Sequence, residues 1–347
     1  MTDIHRTSNG TSSKSTSKAT KDESLDGKDQ EDYKMQIVWG NLLAHLIIHS
    51  IALYGLTVVI WRCQLKTIVL ATALVPVCVG GITAGAHRLW CHRAYTARLP
   101  MRLLLALCAT LAFQNSLYVW CRDHRAHHKF TDSNADPHNA KRGFFFSHVG
   151  WLMVKKHPDV IKRGGGIDCS DLLNDPVVYY QHKYYYQLSL LITFFLPTYL
   201  PHYLWGESLW NAFILVAVTR LVVEYNFTWC VNSVAHIWGN RPYDETIDPG
   251  ENPFVSLLVL GEGWHNYHHV FPFDYRASEF SWKLNLTTQF IDLMHLLGQA
   301  YNLKTVPKDL IKARAQKTGN GTMYDQLNRQ KVGQVDADNE KGYTYDY

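Results

Sequence analysis

Residues 67–92 read TIVLATALVPVCVGGITAGAHRLWCH. The first twenty of these, Thr67 to Ala86, carry no charge. As a helix they measure about 30 Å, the thickness of a bilayer's hydrocarbon core. His87 and His92 follow directly. Five residues apart, two side chains cannot point the same way on an ideal helix, so the helix is expected to end or distort between them. A membrane-length helix that runs straight into candidate metal ligands governs the reading of everything else.

Three further apolar runs flank it: Ile37–Ile60, Tyr186–Trp205 and Leu209–Val234. Short turns near Arg62–Lys66 and Gly206–Ser208 join them in two pairs. The expectation is an all-α integral membrane protein with four transmembrane helices in two hairpins. Both hairpin turns then face one side. The stretch 87–185 holds 14 of the 34 Lys and Arg, against two in the turn at 62–66 and none in that at 206–208, so it belongs to the cytosol together with 235–315 as a helical cap. Leu103–Leu117 is short for a span and is read as a helix buried against the bundle or dipping into the membrane. Residues 1–35 are rich in Ser, Thr, Lys, Asp and Gly and read as a disordered cytosolic tail; 316–347 read as a flexible C-terminal tail. The membrane domain is therefore placed at 36–315, with both termini cytosolic.

The formal net charge of +4 on 347 residues is mild and gives no reason to invoke nucleic acid. Seven cysteines with no C-x-x-C pair argue against a disulfide framework or a thiolate zinc site. No cleavable signal peptide and no K-D-E-L signal is apparent.

Eighteen histidines are many for this length, and half of them cluster. His87 and His92 form one group, His124, His127 and His128 a second, and His265, His268 and His269 a third. Asn232 and His236 sit four apart at the end of the fourth run. H-x-x-H-H puts its first histidine on a helix face with the other two, while the adjacent pair diverges by about 100°. Each triple can therefore feed two neighbouring metals. Neutral imidazole suits iron, zinc or copper. His138 and His148 are candidates for buttressing the site, and Glu262 and Asp123 are either imidazole-orienting carboxylates or solvated charges. His45, His49, His202, His157, His182 and His295 read as structural.

The stretches Gly81–Tyr95, Phe113–Lys129, Asp136–Lys156 and Gly261–Tyr275 closely resemble the animal acyl-CoA desaturase family of the stearoyl-CoA type, with an insect-like flavour. The resemblance covers roughly 36–315. It implies residence in the endoplasmic reticulum and a di-iron site held by nine histidines, with a water on Asn232. One metal would be held by His87, His92, His124, His128 and His268, the other by His127, His236, His265 and His269. CoA contacts would fall on Asn41, Asn115, Arg122, Asp123, Lys155, Lys156 and Trp229. The bend of the acyl tunnel would fall at Gln114, Trp120 and Thr228. Lys155, Lys156 and Arg122 also make sense by charge alone, since CoA brings phosphates.

The implied reaction is O2-dependent insertion of a cis double bond, delta-9 by family habit, into a fatty acyl-CoA. It takes two iron ions, which zinc can replace in foreign cells. No side chain is assigned as general acid or base. Some relatives carry a fused cytochrome b5 domain with a His-Pro-Gly-Gly motif. Here the only His-Pro, His157-Pro158, continues Asp159-Val160, so electrons are expected from separate cytochrome b5 and its NADH-dependent reductase. The alternatives are a membrane di-iron hydroxylase or sterol oxidase, and a histidine-rich metal transporter. The transporter expects ligands inside the bilayer. A zinc protease is disfavoured because H-E-x-x-H is absent. Stepping back by fours from His87 gives Thr83, Val79 and Val75, one helix face at the depth where an acyl chain would end. Val79 and Val75 are accordingly the expected tunnel floor.

Overall fold

The computed structural model describes residues 34–279 and 284–322. The expected N-terminal tail and most of the C-terminal one lie outside the described residues. The described residues from Gln36 onward form one compact unit.

The fold is mostly helical. Three helices are long and apolar enough to cross a membrane: α1 (Trp39–Arg62), α2 (Leu65–Cys91) and α6 (Leu209–Ile237). Between them lie α3 (Leu99–Ala112), α4 (Leu117–Lys129) and a continuous helical segment, α5, over 185–205. The α5 segment is less apolar than the other three, because its second half carries Pro197, Pro201 and His202. The α3–α4 pair is bent by 82°, and α3 presents Leu99, Leu103, Leu104 and Leu107 outward. An apolar face of that kind fits a helix lying in or against lipid.

The two hairpin turns come together at one residue. Glu207 accepts from Gln64 N (2.8 Å) and Thr67 Oγ1 (2.6 Å) with Oε2, and Ser208 N reaches Oε1 (2.9 Å). Trp205 Nε1 donates to Thr67 Oγ1 (2.9 Å), and Gly206 takes the left-handed φ of +70° that closes the α5–α6 turn. Both turns therefore sit at the same end of the bundle.

At the other end, α2 changes its winding. From Gly81 to Cys91 it is a π-helix, with five-residue rather than four-residue hydrogen-bonded turns. Gly81 allows this stretch to lie against α3 at backbone distance, since a Cβ there would come within 2.4 Å of Ala109 N. The buried core beside it joins Ile82, Leu89 and Trp90 to Leu105 and Ala109.

The remaining elements wrap this end. Short helices fill 140–183, followed after α6 by α7 (Pro253–Leu258), α8 (His265–Val270), α9 (Leu286–Leu296) and α10 (Lys308–Thr318). Thr96–Ala97 pairs antiparallel with Ala300–Tyr301, Thr96 opposite Tyr301. The α10 helix runs past residue 315, where the flexible tail was expected to begin. Thr318 Oγ1 donates to Tyr243 O (2.8 Å) and Asn320 N to Arg241 O (3.1 Å), so these residues are anchored to the 241–244 loop.

Candidate metal centre and acyl channel

The π-helical turn resolves the five-residue spacing of His87 and His92. His92 N bonds His87 O (3.0 Å), and one full π turn stacks the two side chains on one face. Their ring centroids are 4.8 Å apart. The expected distortion is thus a change of winding that continues to Cys91. The α4 helix supplies His124, His127 and His128, α8 supplies His265, His268 and His269, and His236 follows a break in α6 at Ser233.

The nine imidazoles form two groups. In the first, ring nitrogens of His87, His92, His124, His128 and His268 all lie within 4.8 Å of one another; in the second, those of His127, His236, His265 and His269 do. Within the first, Nε2 of His268 lies 2.9 Å from Nε2 of both His87 and His128, and His92 Nε2 lies 3.1 Å from His124 Nε2. Within the second, His265 Nε2 lies 3.1 Å from Nε2 of His236 and of His269, and His127 Nε2 lies 3.3 Å from His269 Nε2. Membership matches the two sets that the family resemblance implies.

The donor chemistry fits two cations. His127 Nδ1 faces Asp136 Oδ2 (2.8 Å) and His236 Nδ1 faces Asp132 Oδ2 (2.9 Å). A carboxylate partner holds a proton on Nδ1, which leaves Nε2 of each ring facing the other imidazoles. Burial and then the neighbouring imidazoles hold His265 and His268 well below the ordinary histidine range, so these two rings are neutral and offer bare lone pairs. Converging bare lone pairs repel one another, and a cation among them turns that repulsion into ligation.

Glu262 backs the first group. Its Oε2 lies 2.9 Å from His87 Nδ1, and Oε1 pairs with Arg88 (Nη2 2.7 Å). Arg88 is only 1% exposed and spends its other hydrogens on Tyr275 O, Thr288 Oγ1 and Asn285 Oδ1. Asp132, Asp136 and Arg88 were not among the expected site residues. Asp123, expected as a possible imidazole partner, instead pairs with Lys156 and Arg122. His138 lies beside Asp136 (3.6 Å) with its ring 4.4 Å from that of His127. His148 is held by Ser233 Oγ and Asn226 and stands apart from both groups. His45, His49, His202 and His295 bond backbone carbonyls, His182 bonds Ser116 Oγ, and His157 Nδ1 accepts from Asp159 N.

A cavity of about 320 Å³ runs toward the first group. Gln114, Asn115, Trp120, Asp123, Thr228, Trp229 and Asn232 all line it, and Lys156 and Arg122 flank it through Asp123. Asn41 is tied to Leu152 O (2.9 Å) beside it, and Lys155 N bonds Gln36 O (2.9 Å); neither lines the cavity. A smaller cavity of about 40 Å³ shares Trp120, His124, Thr228 and Asn232 with the first and adds Thr83, His87, Val231 and Val259. The stripe behind His87 divides at that point. Thr83 lines the small cavity, Val79 is packed with Val231 and Val259 at 1% exposure, and Val75 lines a separate apolar cavity of about 470 Å³. Val75 therefore lies beyond the wall that Val79 helps to form.

The profile of the family described as fatty acid desaturase matches residues 65–282. The chain is 51% identical to an acyl-CoA Delta-9 desaturase and 51% to an acyl-CoA Delta12-desaturase, both of Acheta domesticus. These matches cover 85% and 84% of this chain and 82% of each relative. It is 54% identical to an acyl-CoA desaturase of Cyprinus carpio over 83% of this chain and 88% of that one. With most of its length matched at half identity and nine of its histidines gathered into two groups able to hold a metal ion, the chain belongs to the fatty acid desaturase family.

Proposed function

We propose that the chain is an oxidoreductase that places a cis double bond in the acyl chain of a fatty acyl-CoA. The observation that carries this is the arrangement of two adjoining cavities, which lead from Asp123, paired with Lys156 and Arg122, past Gln114, Trp120 and Thr228, to His87 and His124. When bound, two iron ions in the two imidazole groups supply the oxidising power, drawn from O2 and two external electrons, that removes hydrogen from two adjacent methylenes.

The chain's own residues do the rest. Lys155, Lys156 and Arg122 meet the CoA phosphates at the rim, with Asn41, Asn115, Asp123 and Trp229 around the headgroup. The apolar walls keep water from the acyl chain. Gln114, Trp120 and Thr228 bend that chain so that one pair of carbons faces the imidazoles. Asn232, which lines both cavities, holds a water beside the second group. Val79 closes the far end. Iron is the metal, and zinc enters the same imidazoles when iron is scarce.

The two hairpins place four spans at about 37–60, 67–86, 186–205 and 209–234. With both turns at the end tied by Glu207, we assign the cap (87–185 and 235–315) and both termini to the opposite side, and read that side as the cytosolic face of the endoplasmic reticulum. From there cytochrome b5, reduced by its NADH-dependent reductase, delivers electrons. Delta-9 is the expected bond position. Relatives named for Delta-9 and for Delta12 match equally well, so tunnel shape rather than overall identity decides it. Expression in a desaturase-deficient yeast, with mass spectrometry locating the new double bond, tests the reading. No unsaturated product from any saturated acyl-CoA would refute it.

A further inference from the structure

Three polar side chains of α6 take no part in the chemistry above. Arg220, Glu224 and Tyr225 are all buried inside a helix apolar enough to cross a membrane. All three reach the same short stretch, the turn between α3 and α4. Arg220 Nη1 donates to Leu111 O (2.9 Å), Tyr225 Oη donates to Phe113 O (2.7 Å), and Glu224 Oε1 accepts from Gln114 Nε2 (2.7 Å). That turn needs holding. Phe113 and Asn115 have φ of +53° and +74°, a region that side-chain-bearing residues avoid, and the helices they join are bent by 82°.

Gln114 is the residue on which this clamp acts. One hydrogen of its amide nitrogen goes to Glu224 and the other to Thr228 Oγ1 (2.9 Å). Its Oε1 has no hydrogen-bond partner among the described residues, and the side chain lines the long cavity beside Trp120. Thr228 cannot orient the amide by itself, because a hydroxyl both donates and accepts. Glu224 presents Oε1 to the amide nitrogen and draws one of its hydrogens to that side of the bend. Ordinary packing does not account for a carboxyl at this site. Glu224 Oε2 and Arg220 Nη2 are both buried without hydrogen-bond partners, and the pair approaches only to 3.7 Å (Nη1 to Oε2). Polar groups kept half-satisfied within a membrane are costly.

We propose that Glu224 is a specificity-determining positioning residue, which sets the Gln114 amide at the bend and thereby fixes which carbon–carbon bond of the acyl chain is oxidised. The inference rests on reading the long cavity as the acyl tunnel. A bend that slips along the chain by one methylene moves the double bond by one position.

The test compares purified Glu224→Val, Glu224→Gln and the pair Arg220→Met/Glu224→Met with the unaltered protein, using octadecanoyl-CoA. The paired variant buries no orphaned guanidinium, so it guards against a Glu224→Val protein that does not fold. Double-bond position in the product, kcat, KM and metal content are measured together. The unaltered protein gives one dominant position. Glu224→Val and the paired variant raise the neighbouring positional isomers at least tenfold and lower kcat, with KM changed less than twofold and metal content unchanged. Glu224→Gln carries both an acceptor and a donor, as the Thr228 hydroxyl does, and gives an isomer distribution between those of Glu224→Val and the unaltered protein. An unaltered isomer distribution in Glu224→Val or in the paired variant overturns the proposal, even if turnover drops. Failure of the unaltered protein to make any unsaturated product would instead sink the desaturase reading itself.

Discussion

The two imidazole groups are built differently. The second has four rings, and two of them, His127 and His236, are oriented by Asp136 and Asp132. These carboxylates belong to one tight loop, in which Asp136 Oδ2 also accepts from Asp132 N (2.9 Å) and Asp132 Oδ1 from Ala140 N (2.9 Å). The first group has five rings, of which only His87 has a carboxylate partner among the described residues, and Glu262 is itself locked by the buried Arg88. One group gains its hold from oriented ligands and the other from an additional ring. Equal-looking motifs in the sequence therefore feed centres with different dependence on their surroundings.

The comparison can be broken most severely by removing one ring from each group. His127→Ala and His268→Ala should each lower turnover by more than a hundredfold while the helical bundle still elutes as folded protein. On the proposed function, both groups serve one reaction. If either variant kept full activity, its group would not be part of the catalytic centre.

Changing the backing residues separates the groups. Asp136→Asn and Asp132→Asn should weaken metal affinity about 10–100-fold, selectively for one of two ions, because orientation is what these carboxylates supply. Metal analysis after mild chelation should then show one ion lost per chain. Glu262→Gln should act mainly on folding. It leaves Arg88 among neutral partners, and orphaning a buried charge costs roughly 3–5 kcal/mol. Thermal unfolding in detergent would show this, and equal Tm values for Glu262→Gln and Asp136→Asn would erase the proposed difference.

Legibility in the sequence followed the same division. The triples on α4 and α8 could be read because three- and four-residue spacing is local helix geometry. His87 and His92 could be read only as a distortion, because π winding has no periodic signature. Asp132 and Asp136 went unseen because their partners arrive through tertiary folding; Asp132 and His236 are 104 residues apart. Arg88 lies inside the first histidine motif, yet its carboxylate is 174 residues away. The hairpins were legible from apolar run length. Reading 209–234 as one apolar run passed over Arg220 and Glu224, the two charges that hold the turn beside the tunnel.

A smaller effect is expected at the tunnel rim. Lys156 already pairs with Asp123, with about a third of its side chain exposed. Reversing Lys155 and Lys156 to Glu would place like charges together and repel the CoA phosphates. Acyl-CoA binding should weaken by roughly tenfold, and the unaltered protein should lose affinity as salt rises. A double variant with the original KM and the original salt dependence would place the phosphates elsewhere.

The smallest expected effect lies at the far end and depends on a wall one side chain thick. Thr83, Val79 and Val75 share a face of α2, but they do not share a cavity. Thr83 faces the metal-side cavity, Val75 the separate apolar one, and Val79 sits between them, buried with Val231 and Val259. On the proposed reading of the cavities as the acyl tunnel, a chain that passes Trp120 and Thr228 would end against Val79. Val79→Phe should push that floor toward His87 and shift preference to shorter acyl chains by a few fold. Overpacking at a buried site typically costs about 1–3 kcal/mol, so the variant must first be shown to fold. Val75→Trp fills only the outer cavity and should leave the preference unchanged. Competition between acyl-CoAs of graded length on both variants decides the matter. A shift in the Val75 variant would mean that the two cavities join in the working enzyme, and no shift in the Val79 variant would mean that the chain ends elsewhere.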